Sequence, residues 1–268
     1  MLPDGRIVTT DVSNNQLVIL NSHSGEVMGE LGQHKVSKVL GDWKLRPQCV
    51  ATSGGDPNHV FCTDMQDRCI KRFNVDTGRC TASIQLTNYS RPFGLTVLPD
   101  GKFVVTHCDD FITIHDPCTG RTVRTINAGD TGGNFWYVCT DPTRNRIITS
   151  DCSNHCVRIF DVNAPNGAAS SQTLGDRAHA QQEARLSYPH GVAVGKLGQI
   201  LVADSLNNRV VRFSANCGVI DTVLGDDVMQ WPRGLATRGS HVVVTWQGGV
   251  SLAEMPLNSS DAFLSSYL

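Results

Sequence analysis

One unit recurs along this chain, and the recurrence limits the fold more than any single residue does. Its clearest copy opens with Tyr188-Pro-His-Gly-Val-Ala-Val and passes a short Gly-containing turn. It continues as Ile200-Leu-Val-Ala-Asp204, a tight Ser-Leu-Asn-Asn loop, and Arg209-Val-Val-Arg-Phe. The closing Asp and the loop after it reappear as Asp11-Val-Ser-Asn-Asn-Gln16, Asp64-Met-Gln-Asp-Arg-Cys69 and Asp151-Cys-Ser-Asn-His-Cys156. Two degenerate copies are His107-Cys-Asp-Asp-Phe111 and Trp246-Gln-Gly-Gly-Val250. With Asp11, Asp64, Cys108, Asp151, Asp204 and Trp246 aligned, the intervals are 53, 44, 43, 53 and 42 residues.

Each copy reads as β-structure. Arg6-Ile-Val-Thr-Thr, Phe103-Val-Val-Thr, Arg146-Ile-Ile-Thr-Ser and His241-Val-Val-Val-Thr are β-branched runs suited to strands buried on both faces. Third strands follow at Leu17, Ile70, Ile112, Val157 and Val210. Gly-bearing turns at Ser24-Gly, Thr77-Gly, Thr119-Gly and Cys217-Gly lead to an outer strand. Leading strands begin at Arg46-Pro, Arg91-Pro, Asn134-Phe, Tyr188-Pro and Trp231-Pro; Pro suits a first strand position, where its missing N–H costs no ladder bond. Six copies at this period predict an all-β fold, a six-bladed β-propeller of four-stranded antiparallel blades. One domain over 1–268 is expected, with repeats near 1–45, 46–90, 91–133, 134–187, 188–230 and 231–268. The first copy lacks a leading strand. Either the chain is a fragment of a longer one, or Ala262-Phe-Leu-Ser-Ser-Tyr-Leu fills the vacant place, since an open blade would expose an unpaired edge.

Pro-x-Gly-Val-Ala-Val followed by Ile-Leu-Val-Ala-Asp-Ser-x-Asn-Asn-Arg-Val resembles the NHL repeat. The resemblance extends over nearly the whole chain, strongest at 188–224 and weakest in the first and last copies. It implies the NHL propeller of a tripartite-motif/NHL-type regulator. The repeat's Asp and Arg survive together only as Asp204 and Arg209, which read as a structural ion pair. Gln16, Cys69 and Cys156 stand where Arg would be.

Charge and cysteine usage narrow the setting. The net charge of −2 supplies no global pull on nucleic acid, so any such binding needs a local basic face. No apolar run is long enough to span a membrane, and Met1-Leu-Pro-Asp-Gly lacks the basic and apolar segments of a signal peptide. Ten cysteines without a CxxC pair read as reduced, mostly buried thiols of a cytoplasmic protein. Asn88-Tyr-Ser and Asn258-Ser-Ser match the glycosylation triplet by chance on that reading.

In a propeller blade the start of the leading strand and the loop after the second strand share a face. That gathers Arg46, Arg91, Phe135, Trp136, Tyr188, His190, Trp231 and Arg233, with loop amides such as Asn154 and Asn207. Arginines among aromatics suit single-stranded nucleic acid: guanidinium meets phosphate while rings stack on bases. Asp109 and Asp110 oppose this on the same face. The resemblance implies a binding domain for single-stranded or hairpin RNA in post-transcriptional regulation. The alternative is a protein-interaction propeller that presents substrates to a ubiquitin ligase whose RING lies outside these residues. An enzyme is not expected. A metal-dependent propeller would need several inward histidines, and only Pro189-His190 offers one; no catalytic metal or cofactor is foreseen. Cys152 and Cys156, with His155 between them, read as buried structure rather than metal ligands.

Overall fold

The computed structural model describes residues 1–32, 45–53, 56–87, 91–127, 132–163, 170, 172–176, 180–225, 229–255 and 264–267. Both glycosylation triplets lie outside them, as do Ala262, Phe263 and Leu268.

The described strands form six antiparallel sheets that follow one another in chain order. The first holds β1 (Ile7–Asp11), β2 (Gln16–Leu20) and β3 (Val27–Leu31). The second holds β4 (Pro47–Ser53), β5 (Asp56–Asp64), β6 (Cys69–Asn74) and β7 (Cys80–Gln85). The third holds β8 (Leu95–Val97), β9 (Phe103–Thr106), β10 (Phe111–His115) and β11 (Thr122–Asn127). The fourth holds β12 (Phe135–Asp141), β13 (Arg146–Asp151), β14 (Cys156–Asp161) and β15 (Gln172–Leu174). The fifth holds β16 (Pro189–Val194), β17 (Ile200–Asp204), β18 (Arg209–Phe213) and β19 (Val219–Leu224). The sixth holds β20 (Gly234–Arg238), β21 (His241–Trp246), β22 (Gly249–Glu254) and β23 (Leu264–Tyr267). This is the six-bladed β-propeller that the repeat predicts.

Two compact units divide the chain: residues 1–108 with 113–125, and residues 109–112 with 126–268. In the first unit, Leu17, Ile19, Leu31, Val60 and Phe73 share one core cluster. In the second, Ile148, Ile159, Ile200, Val202 and Phe213 share another. The second strands β9, β13 and β17 are buried along almost their whole length, as both-face burial of β-branched runs requires.

The C-terminal strand resolves one alternative. β23 pairs with β22, with Ser251 opposite Tyr267 and Glu254 opposite Leu264, so it completes the sixth blade rather than the first. Among the described residues β1 pairs on one edge only, with β2.

Candidate binding face

The carboxylate that ends each second strand fixes the local geometry. Asp64, Asp151 and Asp204 are wholly buried. Each accepts the backbone N–H of the residue that starts its own blade: Arg46 at 3.2 Å, Asn134 at 3.1 Å and Ser187 at 2.6 Å. Asp64 and Asp151 also accept N–H groups of the loop that follows, from Gln66 and Asn154. Every one also holds a cation. Arg209 Nε lies 2.7 Å from Asp204, Arg158 Nε 2.7 Å from Asp151, and Lys71 Nζ reaches both Asp64 and Asp67. The ion pair expected once therefore occurs three times, because in two blades the cation has moved two residues along its strand. Burial pulls Lys71 down, but its hydrogen bonds to the two carboxylates outweigh this and hold the ammonium above its usual range.

Loop geometry repeats as strictly. The fourth residue after the Asp is left-handed in four blades: Asn15, Arg68, His155 and Asn208, with φ from 50° to 58°. Two of these latch the next blade. His155 Nδ1 accepts the N–H of Tyr188 at 3.0 Å, and Asn208 Oδ1 that of Trp231 at 3.0 Å. Tyr188 and Trp231 are themselves left-handed, at φ 55° and 56°, and each precedes a Pro. A bulky residue in that region carries about 1–2 kcal/mol of strain.

Past the Pro, the leading strand slips its register. Bulges fall between Pro47 and Val50, Phe135 and Val138, and Pro189 and Val192. A bulge re-aims the residues inside it. In four blades a hydroxyl on the second strand accepts an N–H at this point: Cys49 to Thr63, Gly94 to Thr106, Tyr137 to Ser150 and Gly234 to Thr245, at 2.8–3.1 Å. Thr106 shows that His107, one residue before Cys108, holds the Asp position in the third blade. The fifth blade has Ala203 there. Its Gly191 N–H donates instead to the Arg233 carbonyl of the sixth blade at 2.6 Å. A Cβ on Gly191 would collide with that oxygen and come within 2.7 Å of the Leu235 nitrogen.

These devices assemble an aromatic cluster in the second unit. The Trp136 ring lies 5.7 Å from Tyr188 and 4.8 Å from His190; His190 lies 5.4 Å from Tyr188 and 5.9 Å from Tyr137. Trp136 and Tyr188 are half-buried, His190 is buried, and Trp231 and Arg233 are exposed. Burial, and secondarily the Arg233 charge, lower the His190 pKa to about 4. Phe135 stands apart. It is fully buried edge-on to Phe160 at 5.9 Å, so its side chain belongs to the core and not to an exposed face. Tyr137 joins the cluster although the sequence does not single it out as a binding residue, and His155, a loop residue expected on that face, lies 6.4 Å from Tyr188. Arg46 and Arg91 belong to the first unit, and both are exposed there. Among the described residues, Arg46, Arg91 and Arg233 have no ion-pair partner.

Metal chemistry finds little purchase. The one group of suitable ligand atoms among the described residues is Asp64, Asp67 and Cys69, and its carboxylates already bind the Lys71 ammonium. None of the ten cysteines is joined in a disulfide. Cys152 Sγ donates to the Pro189 carbonyl, and burial pushes the Cys156 thiol up to about 12. No helix among the described residues is long and apolar enough to cross a membrane.

Six antiparallel blades define the class, a β-propeller. Residues 186–213, which span the first three strands of the fifth blade, match the family model of the NHL repeat. Over 154 residues, 50% of this chain, it is 27% identical to Teneurin-m of Drosophila melanogaster. Over 197 residues, 62% of this chain, it is 24% identical to Teneurin-1 of Caenorhabditis elegans. The matched stretches make up 5% and 7% of those two proteins, so the chain spans a small part of their length. Among solved structures, a catalytically inactive virginiamycin B lyase from Staphylococcus aureus with quinupristin superposes with a TM-score of 0.66 at 16% identity. That match covers 98% of this chain and 80% of the lyase. A streptogramin B lyase gives 0.67 at 14% identity, covering 99% and 80%. At these identities the likeness is one of fold.

Proposed function

We propose that this propeller is a non-enzymatic protein-recognition module, and that it docks its partner on the face carrying Trp136, Tyr188, His190, Trp231 and Arg233. One observation carries the reading: two consecutive blades hold strained aromatic residues, Tyr188 and Trp231, at the same position, each latched by the preceding loop. Backbone strain kept at matching surface positions is characteristic of binding sites. Trp, Tyr and Arg are the residues that dominate protein interfaces. Leu206, in the loop that latches Trp231, adds exposed apolar surface. Such a partner includes the substrate of a cytoplasmic ubiquitin ligase, with this chain as its recognition propeller.

RNA is the second reading. The observation in its favour is the set of unpaired, exposed Arg46, Arg91 and Arg233, each at the start of a leading strand. Against it stands the pairing of cations elsewhere with carboxylates, together with the net charge of −2. Capture from nuclease-treated lysate on the immobilised propeller, identified by mass spectrometry, separates the two. Protein recognition predicts specific partners that survive nuclease and are lost with Trp231→Ala. RNA recognition predicts enrichment from random RNA pools, with affinity falling steeply between about 50 and 200 mM salt.

A further inference from the structure

The first blade carries both anchors of a leading strand, yet among the described residues no leading strand meets them. β1 ends on Thr10 and Asp11, as β5 ends on Thr63 and Asp64 and β13 on Ser150 and Asp151. In those two blades the carboxylate accepts the N–H at the head of the leading strand, from Arg46 and Asn134. The hydroxyl accepts the N–H three residues further on, from Cys49 and Tyr137. In the first blade, among the described residues, Asp11 accepts from Asn14 of its own loop alone, and β1 pairs with β2 alone. Burial follows the same division. Cys62, Thr63 and Asp64 are wholly buried, as are Thr149, Ser150 and Asp151, whereas Thr9, Thr10 and Asp11 are half-buried. So does charge. Asp64 and Asp151 each hold a cation from the third strand. Asp11 has no ion-pair partner among the described residues: Gln16, five positions on, donates to Glu30, and the seventh position is Val18.

We propose that the open edge of β1 binds an extended segment of a protein partner by strand addition. This site lies in the first unit and is separate from the face that carries Trp231. The other blades set the register. Pro47 pairs opposite Asp64 and Val50 opposite Cys62, while Pro189 pairs opposite Asp204 and Val192 opposite Val202. The partner segment therefore runs antiparallel to β1. Its first N–H meets the Asp11 carboxylate, and a proline follows opposite Asp11, at the first place of the strand. A second N–H meets Thr10 Oγ1, and an apolar residue lies opposite Thr9. The charge of Asp11, which no cation of its own blade offsets, selects a basic residue at the head of the segment. Arg46-Pro and Arg91-Pro show that the head of a leading strand admits arginine beside proline. The partner motif is thus Arg-Pro-x-x-Val or its close kin. A nucleic-acid strand brings no ladder of backbone N–H groups, and Asp11 repels its phosphates.

The probe is the acetylated and amidated peptide Arg-Pro-Phe-Gly-Leu-Thr-Val, the sequence of residues 91–97. It is titrated into the whole chain by calorimetry, with amide exchange followed across Ile7–Asp11. A single saturable site is expected, with exchange in β1 slowed. N-methylation of the peptide glycine removes the N–H meant for Thr10 and should weaken binding about tenfold, as the loss of one hydrogen bond does. Thr10→Val should weaken it equally, and the two changes together no more than either alone. Glutamate in place of the peptide arginine should also weaken binding, and Asp11→Asn should narrow that difference. A scrambled peptide that binds as tightly, or an N-methylated peptide whose affinity for the parent chain is unchanged, overturns the proposal. Exchange in β1 of the unliganded chain as slow as in β9 also overturns it, because the chain then closes this edge itself. A dimer in sedimentation that the peptide dissociates overturns it too, and gives the edge to a second copy.

Discussion

Arg158 follows Asp151 by seven residues and closes on it at 2.7 Å, while Arg209 follows Asp204 by five and closes at the same distance. A strand's side chains alternate with period two, so positions five and seven after the Asp face the same way. Either can deliver a cation to the same buried carboxylate. The second blade uses the later position, with Lys71 in place of Cys69.

A buried carboxylate robbed of its cation is severely destabilising, at about 3–5 kcal/mol. Lys71→Met should cost that much, because Asp64 and Asp67 then face each other uncompensated. Arg209→Met should cost less, since Arg209 is partly exposed and Asn207 still donates to Asp204. Adding Cys69→Arg to Lys71→Met returns the cation to the fifth position and should recover at least half of the loss. Urea denaturation of the four proteins measures all of this; a double variant no better than Lys71→Met alone would refute the equivalence of the two positions.

Gly191→Ala should destabilise the fold by about 3 kcal/mol, since overpacking against backbone cannot be relieved by a rotamer change. The Cβ meets the Arg233 carbonyl and the Leu235 nitrogen, so the sixth blade must retreat and the 2.6 Å Gly191–Arg233 hydrogen bond with it. Amide exchange would report the damage at Gly191 and Arg233 before it reached the first unit. A midpoint within 1 kcal/mol of the parent would show that the close approach is dispensable.

Buried histidines make the protein acid-sensitive: burial lowers His115 below its usual range, and it lowers His107 and His190 furthest. Burial, and then the neighbouring His115, lower His107 from 6.5 to about 4; burial, and then Arg233, do the same to His190. In the third blade the Thr113 hydroxyl bridges the His107 and His115 rings, at 2.5 and 2.7 Å, a network suited to neutral imidazoles. Between pH 6.5 and 4 the unfolded chain binds protons that the folded chain refuses. Stability is therefore complete above about pH 6.5 and falls as pH drops toward 4, by about 3 kcal/mol for each group. His107→Gln and His190→Gln should each flatten that slope by its own share. Thermal melts across pH 4 to 7.5 test the sign as well as the size, and a slope that survives both substitutions would assign it elsewhere.

The blades were legible because both-face burial favours apolar runs rich in β-branched residues, as β9, β13 and β17 show. The Asp-ended loop was legible for the same kind of reason: its left-handed fourth position admits few residues comfortably, and Asn15 and Asn208 announce it. Ion pairs at Lys71 and Arg158 were within reach of the sequence and are found by stepping two residues further along the strand. The bulges were not. Strict alternation would place Phe135 and Tyr137 on one face, yet the slip at 135–138 sends Phe135 into the core and leaves Trp136 and Tyr137 beside His190. That slip depends on where one hydroxyl, Ser150, meets one N–H, which no local pattern specifies. β23 pairs with β22, its neighbour in the chain, where the sequence left open whether that segment would fill the first blade instead.

Phe135 and Trp231 look alike in the sequence, each an aromatic at the start of a leading strand, and the structure separates them. Phe135 is wholly buried against Phe160, so Phe135→Ala should cost about 3–5 kcal/mol. Trp231 is 47% exposed and sits in strained backbone. In Trp231→Asn the lost burial opposes the relief of placing a residue that tolerates the left-handed region, and the Asn208 latch to the backbone N–H survives. Stability should change by no more than about 1 kcal/mol, while capture of a protein partner disappears. Denaturation and partner capture on the same two variants decide the matter. Loss of stability at Trp231 comparable to that at Phe135 would make it a structural residue, and the docking face would then have to be sought without it.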